Sequence, residues 1–413
     1  VIRDRLSLLR AALTSRGEWA RAVWHGMAVY VFSRACVMIG AALVAAELRA
    51  DSNIVAAELP RAPWADPHYV DKPIPRNAVK PMLDVLTSWD GIWYLRIVRK
   101  GYPRFVRPEV TYEVPDARAA FFPTYPTLVR GADRLLPGGD TFAALFVNFV
   151  LGAACVLLVG LLARKLFTTD VAEKAMILMA LFPGSFVLSF AYTEALLLVV
   201  AAGCMIALHD RRWVLAGLLA AFGTATRPNG VALVAACGVA ALLAIRDRRE
   251  WRSLSAPLLA PLGFVAFQLW LGQHTGERGV WFRVQTEAWG EGASFGWTAI
   301  QNTLEAFTHP LTSPTDTITA VSVATTALLL WFAWKRRLPL PELAYCAGII
   351  ALMLLPATVT ARPRFIYTAF PLLIAAAAFF ATRATQWWPY VVGACTAGLV
   401  GLTCLYGVYG AIP

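Results

Sequence analysis

Residues 141–167 read TFAALFVNFVLGAACVLLVGLLARKLF, with no acidic or basic side chain before Arg164. A helix needs about 20 mostly apolar residues to cross the hydrocarbon core of a bilayer, and this stretch supplies them without interruption. It sits in a chain of 413 residues that is 58% hydrophobic and only 15% charged, with a mean hydropathy of +0.58. Soluble globular domains carry about 25% charged residues, so that class is excluded. Disorder, collagen and a disulfide scaffold have different compositions and are excluded with it. What remains is an all-α polytopic membrane protein.

Further apolar windows lie at 24–48, 171–190, 192–208, 213–225, 228–245, 254–271, 317–334, 343–359, 365–381 and 389–409. Together they predict roughly ten or eleven transmembrane helices, with those between 192 and 245 crowded. The net charge of +11 is compatible with nucleic acid, anionic lipid or cytoplasmic loops, and its distribution decides between them. Arg3, Arg5, Arg10, Arg16 and Arg21 crowd the N-terminal arm. Every second loop is then basic: Arg164-Lys165, Arg211-Arg212, the run between Arg246 and Arg252, Lys335-Arg336-Arg337, and Arg383. This alternation predicts a cytoplasmic N-terminus in a multi-pass plasma (inner) membrane protein. The opposite face receives two long loops, 49–140 and 273–316, from one transmembrane domain spanning 1–413. No nucleic-acid partner is implied. No cleavable signal peptide is expected, because the basic arm leads into a full-length span, and the start at Val1 leaves upstream residues open. Cys36, Cys155, Cys204, Cys237, Cys346, Cys395 and Cys404 all fall in or at apolar windows, which argues against structural disulfides and a thiolate zinc site.

The first long loop holds Ser88-Trp89-Asp90-Gly91-Ile92-Trp93-Tyr94. Read as a helix, it puts Leu86, Asp90, Trp93 and Ile97 on one face. A carboxylate in such an apolar stripe needs a partner or a function. An Asp-Gly turn with interfacial tryptophans fits the same residues. Residues 120–126, AFFPTYP, carry Tyr125 in an aromatic, proline-broken segment that fits a groove wall or a headgroup-level belt. Three clusters mark the same face: Tyr192-Thr193-Glu194, Thr226-Arg227-Pro228-Asn229-Gly230, and Arg362-Pro363-Arg364. Arginine in external turns opposes the usual charge bias and asks for an anion, either a carboxylate or a phosphate. Three such positions on one side point to a phosphate site. Gln285, Glu287 and Trp289 in the second loop combine amide, acid and aromatic, a set suited to a sugar. Arg34 inside the first span requires a partner or an aqueous cavity. His209, His274 and His309 are too scattered for a metal site, and no metal or cofactor is expected.

Trp89-Asp90-Gly91-Ile92-Trp93-Tyr94, Gly101-Tyr102 and Phe121-Phe122-Pro123-Thr124-Tyr125-Pro126 resemble the first-loop pattern of PIG-V-type mannosyltransferases. Phe182-Pro183-Gly184 with Tyr192-Thr193-Glu194 resembles that family's proline-containing span and Tyr-Ser-Glu turn, Thr193 replacing Ser. The segment 226–230 resembles its Thr-Arg-Ser-Asn-Gly turn, with Pro228 for Ser, and Gln285 with Trp289 its Gln-x-x-x-Trp segment. A weaker match falls at 362–371.

The resemblance implies a GT-C fold whose extracytoplasmic loops carry juxtamembrane helices. It implies an enzyme that uses a polyprenyl-phosphate sugar as co-substrate, with Asp90 as the catalytic carboxylate. Mannose is the expected sugar, with arabinofuranose as the alternative, and a cell-envelope glycolipid or glycan the acceptor. Arg227, Arg362 and Arg364 are candidates for the donor phosphate. Trp89, Trp93, Tyr94, Tyr125, Tyr192, Glu194, Asn229, Gln285 and Trp289 are candidates for the substrates. No nucleotide-binding glycine loop is present, which favours a lipid-linked donor. A lipid or small-molecule transporter is the rival class, but it predicts internal repeats and midplane polar residues rather than a loop-borne Asp. Oligomeric state is not legible.

Overall fold

The computed structural model describes the backbone of residues 2–58 and 79–411 and the side chains of 16–47 and 79–411. Residues 59–78 of the first loop and the side chains of Arg3, Arg5 and Arg10 lie outside the described residues. Among the described residues, α1 (Ile2–Glu58) leads into the first loop, which carries α2 (Val79–Leu86), α3 (Asp90–Lys100), a 3₁₀ turn at Pro115–Ala120 and α4 (Thr124–Asp133). The bundle continues with α5 (Gly139–Leu166), α6 (Thr169–Leu181), α7 (Glu194–His209), α8 (Trp213–Thr224), α9 (Ala232–Arg248), α10 (Ser255–Leu259) and α11 (Leu262–Thr275). The second loop forms α12 (Val280–Trp289) and α13 (Trp297–Thr308). The chain closes with α14 (Pro314–Arg336), α15 (Leu340–Leu354), α16 (Pro363–Thr368), α17 (Pro371–Thr382) and α18 (Trp388–Gly407).

Six stretches are long and apolar enough to cross a membrane: Arg16–Glu47, Gly139–Leu166, Pro228–Arg248, Trp251–Thr275, Pro314–Arg336 and Thr385–Gly407. The chain is an all-α, multi-pass membrane protein. The other five apolar windows fold into helices of 12 to 16 residues. At 1.5 Å per residue these reach about 18–24 Å, short of a core about 30 Å thick. Proline explains much of the shortening, since it strips a donor and forces the preceding residue out of the α region. Pro183 ends α6, with Phe182 at φ −50°, ψ 140°, Pro228 and Pro356 stand just past the ends of α8 and α15, and Pro371 opens α17 partway through the window 365–381.

At the centre stands α7, which is buried on nearly all sides and packs between α5 and α8. Around it α1 packs on α6 and α18, α9 on α15, and α14 on α13 and α17. The outer faces present bare apolar side chains such as Phe146, Phe149, Leu258 and Trp334, as lipid contact requires. All seven cysteines are free thiols.

Arg34, buried in α1, finds backbone rather than water. Its guanidinium donates to the carbonyls of Ser185 (2.8 Å) and Ala180 (3.0 Å) and to Ser189 Oγ (3.0 Å). It thereby holds the break at Phe182-Pro183, where helix carbonyls have lost their own donors. Arg34→Met is expected to cost about 1–3 kcal/mol for each carbonyl left without a donor. The readout is a lower thermal midpoint in detergent, and an unchanged midpoint would contradict this role.

Candidate functional site

The first-loop helix does not run through Leu86. Thr87 Oγ1 donates to Leu83 O (2.9 Å) and Ser88 Oγ to Val85 O (2.8 Å), which closes α2. The chain then reverses at Trp89, a non-glycine residue at φ 55°, ψ −120°. Such backbone costs on the order of 1–3 kcal/mol and persists only where its surroundings fix it. Here Trp89 Nε1 donates to Tyr406 O (3.0 Å), the ring lies 4.9 Å from that of Tyr409, and Ala191 N donates to Leu86 O (2.9 Å). Leu86, expected from spacing to share the Asp90 face, therefore belongs to the preceding helix. Asp90 becomes the first residue of α3, and the Asp90-Gly91 pair opens a helix rather than a turn.

Asp90 Oδ2 accepts from Arg364 Nη1 at 2.8 Å. The same Nη1 lies 3.9 Å from Glu194 Oε1, and Glu194 is ion-paired with Arg227. Two acids and two arginines thus form one charge-balanced chain at the N-terminal ends of α3, α7 and α16 and at the turn after α8. Side-chain exposure falls from 25% at Asp90 to 10% at Arg364 and 1% at Glu194. Burial alone would lower the Arg364 pKa, but the charges of Asp90 and Glu194 hold it above its ordinary value. Tyr94, in hydrogen-bond contact with Thr193 (3.2 Å), and Tyr192, under the Arg364 guanidinium at 5.8 Å, are pushed up by burial and then by Asp90. Both phenols therefore stay protonated.

Among the described residues, Arg364 Nε, Arg227 Nε, the Tyr192 hydroxyl and Glu194 Oε2 are buried at this centre without a hydrogen-bond partner. Buried donors are almost always satisfied, so a concentration of orphans calls for an acceptor. Phosphate oxygens match such donors in charge and geometry.

Close backbone approaches position both arginines. A Cβ on Gly230 would stand 2.1 Å from Gly223 O, so only glycine lets the Arg227 turn fold onto α8. A Cβ on Gly184 would stand 2.4 Å from Pro363 O, which sets α16 and Arg364 against the α6 break. Asn148 in α5 donates to the carbonyls of Phe190 and Tyr192 (2.8 Å to the latter) and fixes the turn that presents Glu194.

The remaining sequence candidates distribute around this centre. Arg362 is buried, donates to Thr319 Oγ1 (2.6 Å) and Ala361 O (3.0 Å), and so leans on α14. Asn229 is buried in the Arg227 turn. Tyr125 packs its ring on Tyr94 at 5.4 Å and donates to Ala144 O (3.2 Å). Trp93 stacks on Phe121 (5.8 Å) and meets Trp289 edge-on (5.6 Å), forming an aromatic wall beside the first turns of α3. Gln285 reaches Ala120 O at 3.4 Å, while Glu287 accepts from Val110 N (3.0 Å) and Arg283 (2.7 Å). Within that trio the acid latches one loop to the other. Among the described residues no three His, Cys, Asp or Glu side chains gather as a metal site.

Two cavities flank the centre, each lined in part by residues of the sequence motifs: Gly101, Tyr102, Pro123 and Pro126 in the first, Phe182 and Pro183 in the second. One, of about 660 Å³, lies between the end of α3, the start of α4 and α11; it is lined by Lys100, Tyr102, Arg130, Phe267, Trp270 and His274, and touches Ala225, two residues before Arg227. The other, of about 540 Å³, is an apolar groove between α6, α14, α17 and α18 that reaches Pro363, between the two arginines.

Residues 123–271 match the family described as dolichyl-phosphate-mannose-protein mannosyltransferase. That segment contains Glu194 and Arg227 but neither Asp90 nor Arg364. Among solved structures, ArnT from Cupriavidus metallidurans, crystallised with undecaprenyl phosphate, aligns at 16% identity over 73% of this chain and 57% of its own, with a TM-score of 0.49. The Archaeoglobus fulgidus oligosaccharyltransferase aligns at 15% identity over 91% of this chain and 56% of its own, with a TM-score of 0.42. The chain thus spans little more than half the length of either structure. No curated protein sequence matches it.

Proposed function

We propose that the chain is a GT-C glycosyltransferase that moves mannose from a polyprenyl-phosphate donor to an envelope glycolipid or glycan at the extracytoplasmic face. The observation that carries this reading is the ionic chain itself: a loop-borne carboxylate bound to a buried arginine, with two guanidinium Nε donors left without acceptors. The family match over residues 123–271, named for a dolichyl-phosphate-mannose enzyme, supports the donor class and the sugar. The PIG-V-like motifs support Asp90 as the reacting acid.

In the proposed step the acceptor hydroxyl attacks the anomeric carbon of the lipid-linked sugar. Its oxygen forms the new glycosidic bond and its proton passes to Asp90. The bond from the anomeric carbon to phosphate oxygen breaks, and the electron pair leaves with the polyprenyl phosphate. A phosphate is already a good leaving group, so no partnered general acid is needed, unlike in glycosidases. Arg364 and Arg227 meet the departing phosphate through the donors their carboxylate partners leave over, for a guanidinium has five N–H groups. The prenyl chain would lie in the apolar groove that ends at Pro363.

Direct displacement inverts the anomeric centre. NMR of the product from a β-linked polyprenyl-phosphate mannose should show an α-linkage, and a β-linked product would rule this step out.

A further inference from the structure

Helix α7 starts at Glu194, in the ionic chain, and ends at His209, where the chain turns back into α8. Its 16 residues at 1.5 Å each set this turn about 24 Å from the Asp90 centre. Arg211 N donates to Leu208 O (3.0 Å) and Arg212 N to Ala207 O (2.8 Å), with Arg211 at φ 57°. Glycine is the usual residue at such a helix end, so an arginine stands here against the backbone preference.

A cavity of about 460 Å³ opens at this turn, between the starts of α8 and α10. Arg211, Arg212, Arg252 and Ser255 line it together with the first turn of α8, and no acid does. The nearby carboxylates are already engaged. Glu250 accepts from Trp213 Nε1 (2.8 Å) and lies 3.4 Å from Arg211 Nη2, and Asp210 is bound by Lys165. Neither the Arg212 nor the Arg252 guanidinium enters an ion pair or donates a hydrogen bond among the described residues. The first turn of α8 has no side-chain cap, so its amides add donors to the same cavity. Cations beside the positive end of a helix dipole repel it, and the cluster becomes favourable only when an anion joins.

Two apolar ridges lead away from the cavity. Val214 and Leu218 follow one another along α8, Leu258 and Leu262 continue the line of Ser255, and all four are at least half exposed. A soluble phosphate would use the cations and leave these ridges bare. A phospholipid would use both. We propose that this cavity binds the phosphate headgroup of an anionic phospholipid, with its acyl chains lying on the two ridges. Guanidinium groups are well matched to phosphate oxygens, and basic pockets between helix ends at a bilayer surface attract anionic headgroups. The site is separate from the Asp90 centre and does not rest on the proposed transfer reaction.

The test uses the full chain purified in detergent, with no sugar donor or acceptor present, and reads bound lipid by native mass spectrometry. Phosphatidylglycerol and phosphatidylcholine of identical acyl chains are offered at equal concentration. Phosphatidylglycerol should be retained at least about tenfold better. Arg212→Gln combined with Arg252→Gln should bring it down to the phosphatidylcholine level. Arg337→Gln combined with Arg383→Gln removes the same charge from exposed positions outside the cavity and should leave the preference in place. Glycerol 1-phosphate, the same kind of anion without chains, should fail to displace the lipid even in large excess. Equal retention of the two lipids overturns the proposal. Equal loss in the two double variants does so too, by reducing the effect to diffuse charge. Displacement by glycerol 1-phosphate also overturns it, by giving the cavity to a soluble phosphate. The lipid comparison and the displacement need only the wild-type protein, so they decide the matter even where a variant does not fold.

Discussion

Asp90→Asn is expected to reduce sugar transfer by at least about 10²–10⁴-fold, the usual contribution of a positioned general base. The substitution changes almost nothing else. Asn has the same shape, and its carbonyl oxygen still accepts from Arg364 Nη1, which now donates to the carboxylate at 2.8 Å. Asp90 is the most exposed member of the ionic chain, so the lost charge is partly replaced by solvent. Thermal stability should therefore change little. Removing one of two negative charges leaves the arginines more available, so donor affinity should hold or improve. A fall in kcat with an unaltered or lower donor KM is the signature of a group that acts in the transition state. Near-normal turnover would remove Asp90 from the mechanism.

The second large effect separates the structural work of Arg227 from its proposed work on phosphate. Glu194 is 1% exposed, so Arg227→Ala strands a buried carboxylate beside Arg364 alone. Breaking a buried pair costs about 3–5 kcal/mol, and the variant should be markedly less stable. Glu194→Gln in the same chain removes the stranded charge and should return much of that stability. It should not return donor affinity, because the guanidinium is still missing. The double variant is therefore expected to melt near the wild type and to show a donor KM raised at least tenfold. If stability and donor affinity recover together, Arg227 only balances Glu194 and does not meet the phosphate.

Much of this architecture is written locally. Apolar runs marked the helices, and paired charges at alternate loops gave the expected orientation. The breaks at Pro183 and Pro228 were visible as prolines, but not their depth in the bundle or how far they would shorten the helices. Asp90 stood out because a carboxylate among Trp89, Trp93 and Tyr94 conflicts with its surroundings. Its partner did not, for Arg364 lies 274 residues away and reaches Asp90 only through the packing of α16 at the Gly184 contact. Arg34 likewise finds Ser185 across 151 residues. Arg362 and Arg364 are two residues apart and look equivalent in sequence, yet the helix start between them sends one side chain to Thr319 and the other to Asp90. Lys100, Arg130 and His274 come from three separate helix ends, so no single stretch of sequence announces their cavity.

The most direct measurement is single-turnover transfer by wild-type protein and Asp90→Asn, side by side in nanodiscs, with polyprenyl-phosphate mannose and total envelope lipids, and products identified by mass. One hexose added to a lipid by the wild type, and at least about 10²-fold more slowly by the variant, is the expected result. Equal product from both proteins, or transfer from GDP-mannose with no lipid-linked donor present, would contradict it.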